Sequence, residues 1–258
     1  MVHENLAPII NLTAKAFLFF AQENIVIVLL CMGFFGYDKK KITRTLFILL
    51  FSMIVNAFLK SLWKIPLPPE VGTGYAFPSG HMQNSMVLWG WLSLEIKRKA
   101  FFAFSISLLC GIAFGLIQLG YHSLIDILGA LASALILLIF YAFLLKLPIF
   151  KKRLSVIGFS LFLFALPMAY YISARSSSMF IAQGALIGLS LGMLHENTSH
   201  ILNTYTRKIK SILVAITGIA LIQIGFKYLP IYSKEFSLFS CYFLTALWIS
   251  AGVSKCTQ

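Results

Sequence analysis

Nine long apolar runs follow one another along this chain, at about residues 17–37, 43–62, 80–95, 100–119, 123–147, 152–172, 179–194, 210–228 and 236–253. Crossing a bilayer takes roughly 20 apolar residues, and inside lipid every backbone polar group must find its partner within the protein. The runs are continuous, without the alternating polarity that a membrane barrel needs, so they predict helices. Composition agrees: 59% of the 258 residues are hydrophobic and only 11% are charged, under half the share of about 25% found in soluble domains. The expected fold class is all-α, a polytopic helical membrane protein with about nine transmembrane helices.

The formal net charge of +13 raises the question of nucleic acid, but the placement of the cations answers it. Lys39, Lys40, Lys41 and Arg44 form one cluster, and Lys97, Arg98 and Lys99 a second. Lys151, Lys152 and Arg153 form a third, and Arg207, Lys208 and Lys210 a fourth. They occupy alternate loops between apolar runs, which is the pattern of a topology signal and not of a nucleic-acid surface. The positive-inside rule puts these four loops in the cytoplasm, the N-terminus outside and the C-terminus inside. Residues 60–80 and 119–124 then share the outer face. The N-terminal MVHENLAPII has no basic region before its apolar residues, so no cleaved signal peptide is expected. Residues 6–20 read as an interfacial stretch, and Gln22, Glu23 and Asn24 as a membrane boundary.

A soft division falls near residue 150, where Pro148 and the third basic cluster separate a core of residues 1–150 from an extension of residues 151–258. In the extension Gly184, Gly188 and Gly192 recur every fourth residue, as expected of a close helix-packing face. Cys31, Cys110, Cys241 and Cys256 form no CxxC pair and no metal-like spacing, so they read as small hydrophobes. HENTSH places His195 and His200 five residues apart, where a helical zinc motif needs four, so it reads as a loop.

Three segments carry polar groups that packing does not call for. In LKSLWKIPLPP, Lys60 stands at the end of the second apolar run, where a lysine commonly snorkels to the interface. In YAFPSGHMQN, Pro78 suits a helix start and Gly80 permits close approach of backbone to a ligand. The N–H groups of Ser79, Gly80 and His81 would then sit at a positive helix end, suited to an anion; the plainer reading is an N-cap with an interfacial histidine. In LGYHSLIDILGA, His122 and Asp126 are four apart and share one face of a helix. A carboxylate in an apolar span is expensive and marks function by default. Bonded to one imidazole nitrogen, it leaves the other free as a nucleophile.

Together these segments resemble the type 2 phosphatidic acid phosphatase (PAP2) superfamily, over roughly residues 20–145. Lys60 and Pro68 hold their places in the family's first motif, PSGH is intact at 78–81, and His122 and Asp126 keep the His-x-x-x-Asp spacing. Two departures stand out: Leu67 replaces the first motif's arginine, and Gly115–Leu116 replace a Ser-Arg pair. The resemblance implies that His122 attacks phosphorus, that Asp126 orients it, and that His81 protonates the leaving oxygen and later activates water. It implies phosphoryl-oxygen contacts from Lys60, Ser79 and Gly80, with Lys64 and Arg175 as outer-loop cations able to replace the lost arginines. It implies no metal and no cofactor, a membrane lipid phosphate as substrate, and residence as a multi-pass protein of the bacterial inner membrane. Three functions fit: a lipid phosphate phosphatase, a sphingomyelin-synthase-like transferase of phospho-headgroups, and a non-catalytic lipid-binding or transport protein on the same fold.

Overall fold

The computed structural model describes residues 2–171, 176–194, 205–228 and 233–253, and among them the regular structure is helical. The helices are α1 (Val2–Phe19), α2 (Glu23–Gly36), α3 (Lys39–Trp63), α4 (Gly80–Ile96), α5 (Lys99–Gln118), α6 (Leu124–Leu144), α7 (Pro148–Lys152), α8 (Leu154–Tyr171), α9 (Ser177–Gly192), α10 (Tyr205–Tyr228) and α11 (Lys234–Leu247), the last running into a π-helical turn at Trp248–Gly252. Among the described residues the nine apolar runs lie on helices, the first of them split between α1 and α2 by a turn at residues 20–22, and fewer than the expected nine qualify as spans. Five helices (α3, α5, α6, α8 and residues 208–228 of α10) have the length and apolarity to cross a membrane. A sixth span is possible if Pro8–Phe19 and Glu23–Gly36, bent by 46° at their junction, act as one. The fold is therefore that of an all-α membrane protein.

The helix ends follow local chemistry. Asp38 caps α3 by accepting from the Lys41 N–H at 3.1 Å, and Ser233 caps α11 through the Phe236 N–H at 3.1 Å. Lys64 and Lys97 adopt left-handed backbone, φ 52° and 57°, and so end α3 and α4. The N-terminal stretch read as interfacial is the helix α1, which lies along α5.

Helix α3 is the axis of the bundle. Its apolar window is 67% buried, against 17% for α10, because α4, α6, α8 and α9 all pack on it. Phe47, Ile48, Ile54 and Tyr141 are among the side chains fully enclosed there. At one end of the bundle the Tyr141 hydroxyl donates to the Arg44 carbonyl at 2.9 Å, and the Arg44 guanidinium meets Glu95 at 3.5 Å. The loop 64–79 and the loop 119–123 lie at the other end. The glycine stripe is a packing face as expected: a Cβ at Gly184 or Gly188 would overlap the backbone carbonyl of Phe239 or Phe243 on α11, and one at Gly192 would overlap Ser250.

Candidate active site

The loop after α3 folds into a short hairpin. Leu67 N–H donates to the Gly74 carbonyl at 3.0 Å and Ala76 N–H to the Ile65 carbonyl at 2.8 Å. The Lys60 ammonium reaches back from α3 to the Tyr75 carbonyl at 2.7 Å, so one of its three donors holds the returning limb of this hairpin. That limb delivers Pro78 and Ser79 to the start of α4. Ser79 is fully buried, and its hydroxyl accepts from the Met82 N–H at 3.4 Å as the N-cap. Its own N–H donates to the backbone carbonyl of Asp126 at 3.2 Å. This bond ties the PSGH segment directly to the first turn of α6. It also corrects one expectation: the Ser79 amide is already committed and is not an anion donor. The Gly80 and His81 amides, in the first turn of α4, remain as the outward-facing pair.

The second half of the site is built on α6. Ser123 and Asp126 form a reciprocal capping box, with the Asp126 carboxylate accepting from the Ser123 N–H at 2.8 Å and from its hydroxyl at 2.9 Å. The same oxygen, Oδ2, lies 3.6 Å from His122 Nδ1. That is ion-pair range but too long for a hydrogen bond, and His122 Nδ1 is buried with no other partner. The His122 backbone is held by the Leu116 carbonyl at 3.3 Å, which also receives the Tyr121 N–H at 3.0 Å. Burial pushes the His122 imidazole below the usual histidine range, nearby Lys60 pushes it the same way, and Asp126 opposes them.

Lys60, Gly80, His81 and His122 line one cavity of about 660 Å³. Leu67 and Leu116, the two positions where the resembling family carries arginine, line the same cavity. Ser79 and Asp126 stand behind the wall and act on it through the bonds just described. Lys64 is not brought to the cavity: it is exposed and spent on ending α3. Arg175 and the His195–His200 stretch lie outside the described residues. Gly115 has a packing explanation, since a Cβ there would come within 2.8 Å of the Ala14 carbonyl on α1. A serine at that position would require α1 to shift.

A buried polar network behind the cavity was missed in the sequence, because its members are spread over three apolar helices, two on α3 and one each on α4 and α6. Gln83, fully buried at its centre, donates to the Ser52 carbonyl at 3.1 Å and the Ser52 hydroxyl at 3.2 Å, and accepts from Asn56 at 3.0 Å and Ser133 at 2.9 Å. Asn56 also donates to the Pro78 carbonyl at 3.2 Å, and its side-chain oxygen would lie 2.9 Å from a Cβ at Gly80. Gly80 thus has a packing reason in Asn56. Four hydrogen bonds satisfy both ends of the Gln83 amide. Gln83→Leu removes four buried hydrogen bonds, although Ser52, Asn56 and Ser133 keep their bonds to Asn84, Pro78 and Ala130, and is expected to destabilise the protein by about 2 kcal/mol. A thermal melt in detergent that matched the native protein would contradict this.

The same region stands out in comparison with known proteins. Residues 41–149 match the family model of the PAP2 superfamily. They run from the first turn of α3 to α7 and include Lys60, Ser79, Gly80, His81, His122 and Asp126. No curated protein and no solved structure matches the chain.

Proposed function

Because residues 41–149 form a PAP2 superfamily region, whose members are phosphatases or phosphotransferases, we propose that this membrane protein is a lipid phosphate phosphatase working through a phosphohistidine. The observation that supports it is the convergence of His81, His122 and Lys60 on one cavity from three different elements. His122 presents Nδ1 to Asp126, so Nε2 is the nitrogen that attacks phosphorus. The new N–P bond forms as the P–O bond to the lipid breaks, and the leaving oxygen takes a proton from His81. His81, now neutral, removes a proton from water, which attacks phosphorus and releases phosphate and free His122. Lys60 and the Gly80 and His81 amides hold the phosphoryl oxygens during both steps. Asp126 orients His122 from 3.6 Å, a gap that closes to a hydrogen bond as the imidazole gains positive charge.

A second reading, transfer of a phospho-headgroup, is favoured by the two leucines. Each missing arginine removes a bidentate clamp for a doubly charged phosphate, and Leu67 and Leu116 make those parts of the wall apolar. A singly charged diester matches Lys60 and a helix N-terminus better than a monoester does. Phosphate release from a panel of lipid monoesters, diphosphates and diesters by the purified protein separates the two readings. Release from no member of the panel, with no headgroup transfer, would overturn both. Weak hydrolysis of phosphatidic acid is expected from the native protein. Leu67→Arg with Leu116→Arg is expected to raise monoester hydrolysis by about tenfold or more. An unchanged or lower rate in a folded double variant contradicts the charge argument.

We further propose that the site opens outside the cytoplasm, on the strength of the four basic clusters. Lys40, which is exposed before the second turn of α3, then faces inward. A cysteine placed there is expected to escape an impermeant thiol reagent added to intact cells. Ready labelling would reverse the orientation.

A further inference from the structure

The cavity does not stop at the polar residues. Along α3 it is lined by Lys60, Asn56, Met53, Leu50, Leu49 and Leu46, one face of the helix. Fourteen residues separate its ends, or about 21 Å of helix at 1.5 Å per residue. That exceeds the thickness of one leaflet's hydrocarbon, about 15 Å. Helices α2 and α9 repeat the same gradient, and α11 completes the lining. Helix α2 contributes Glu23 at the Lys60 end and Leu30 and Phe34 further along. Helix α9 and the residues before it contribute Ser176 and Ser178, then Ala185 and Leu189. Helix α11 contributes Tyr242, whose hydroxyl donates to Glu23 at 3.2 Å, then Ala246, with Ile249 beyond it in the π turn. Helices α2, α3 and α9 are polar at the end where His81 and His122 lie and apolar at the other, while α11 adds the Thr245 hydroxyl between Tyr242 and Ala246.

A cavity with Lys60, His81, His122 and the N-terminus of α4 at one end, where the Glu23 carboxylate is engaged by Tyr242, and a long apolar stem at the other is complementary to an amphiphilic phosphate. On this basis, and resting on the phosphate chemistry proposed above, we infer that the hydrocarbon chain of the substrate is taken into the bundle, in a channel between α3 and the helices α2, α9 and α11. The PAP2 region supplies the phosphate end and one wall. Helices α9 and α11, which lie beyond residues 41–149, supply the opposite wall. This gives the C-terminal extension a function: it replaces the bilayer as the solvent for the chain. The Gly184–Gly188–Gly192 contact serves the same end, since it keeps the two wall helices at backbone distance.

The test uses the full-length protein in phosphatidylcholine vesicles with a long-chain alkyl phosphate bearing a diazirine at the chain end, and a twin bearing it beside the phosphate. The terminal probe is expected to label Leu46, Leu50 and Leu189, and the twin to label the Lys60 end. Ala185→Trp and Ala246→Trp each narrow the channel and are expected to reduce terminal labelling of Leu46 by about tenfold. If one variant does not fold, the other and the native labelling pattern still decide. Labelling by the terminal probe confined to exposed α6 residues such as Ile125 and Ile136 would overturn the inference. Equal channel labelling by an alkyl trimethylammonium of the same length would overturn it too, since any chain would then enter. The same probes applied to His122→Ala separate this from the catalytic proposal. Channel labelling without phosphate release from native protein sinks only the phosphatase reading. Phosphate release with labelling only on the exterior sinks only the channel.

Discussion

Replacement of His122 by alanine is expected to lower phosphate release by about a thousandfold or more, because it removes the nucleophile of the proposed phosphohistidine mechanism. The protein is expected to stay folded. The His122 imidazole makes no hydrogen bond at Nδ1, and the capping box of Ser123 and Asp126 does not include it. Phosphate release and a thermal melt measured on the same preparation check both halves of this statement. Residual activity above a tenth of native in a folded His122→Ala protein would rule out a phosphohistidine at this position. A pH profile gives an independent check. Burial and Lys60 hold the His122 pKa below its usual value of about 6.5, so the neutral, nucleophilic form persists into mild acid. The acid limb of kcat/KM assigned to His122 is therefore expected below about pH 6.5. The sign for stability follows from the same depression. The unfolded chain takes up this proton more readily than the folded one, so His122 contributes no penalty above its unfolded pKa. Its contribution turns unfavourable as pH falls through that value and approaches the folded pKa.

Gly188→Leu is expected to produce a large loss of stability while leaving the polar site untouched, as Gly184→Leu would at the neighbouring position of the same contact. A Cβ at Gly188 meets the backbone carbonyl of Phe243, and backbone cannot turn aside as a flexible side chain can. The helices α9 and α11 must then separate, losing the flanking contacts at Gly184 and Gly192. An overpacking penalty of about 3 kcal/mol corresponds to a fall in Tm of roughly 6–12 °C for a chain of this size. Gly225→Leu is the matched control, because nothing lies within 4 Å of a Cβ there. Equal melting temperatures for the two variants would show that the α9–α11 contact contributes little. Since α9 and α11 wall the apolar channel, Gly188→Leu is also expected to reduce labelling of Leu189 by the terminal diazirine probe.

Ser79 and Asp126 show where reading the sequence met its limit. Both were identified as site residues, on motif and spacing. Neither lines the cavity: Ser79 caps α4 and gives its amide to Asp126, while Asp126 caps α6 and faces His122 from behind. Their side-chain partners lie within four residues, so those pairings were within reach of local rules. The backbone bond between them spans two helices and was not. Lys64 is the opposite case, a cation near the motif in sequence that ends α3 away from the cavity.

What the sequence determined alone was everything that rests on short-range periodicity and on solvent. Long apolar runs must be helices in a bilayer, wherever they pack. Serines and an aspartate at their starts must cap them, and glycines four apart must form one face. What the tertiary structure decided is which faces meet. Gln83, Asn56, Ser52 and Ser133 carry no signal individually, since a lone polar residue in a span has many possible partners, and only packing around α3 brings them together. The channel is of the same kind. Its four walls are separated by as many as 219 residues of chain, from Glu23 to Tyr242, and a cavity between helices leaves no mark on the periodicity of any one of them.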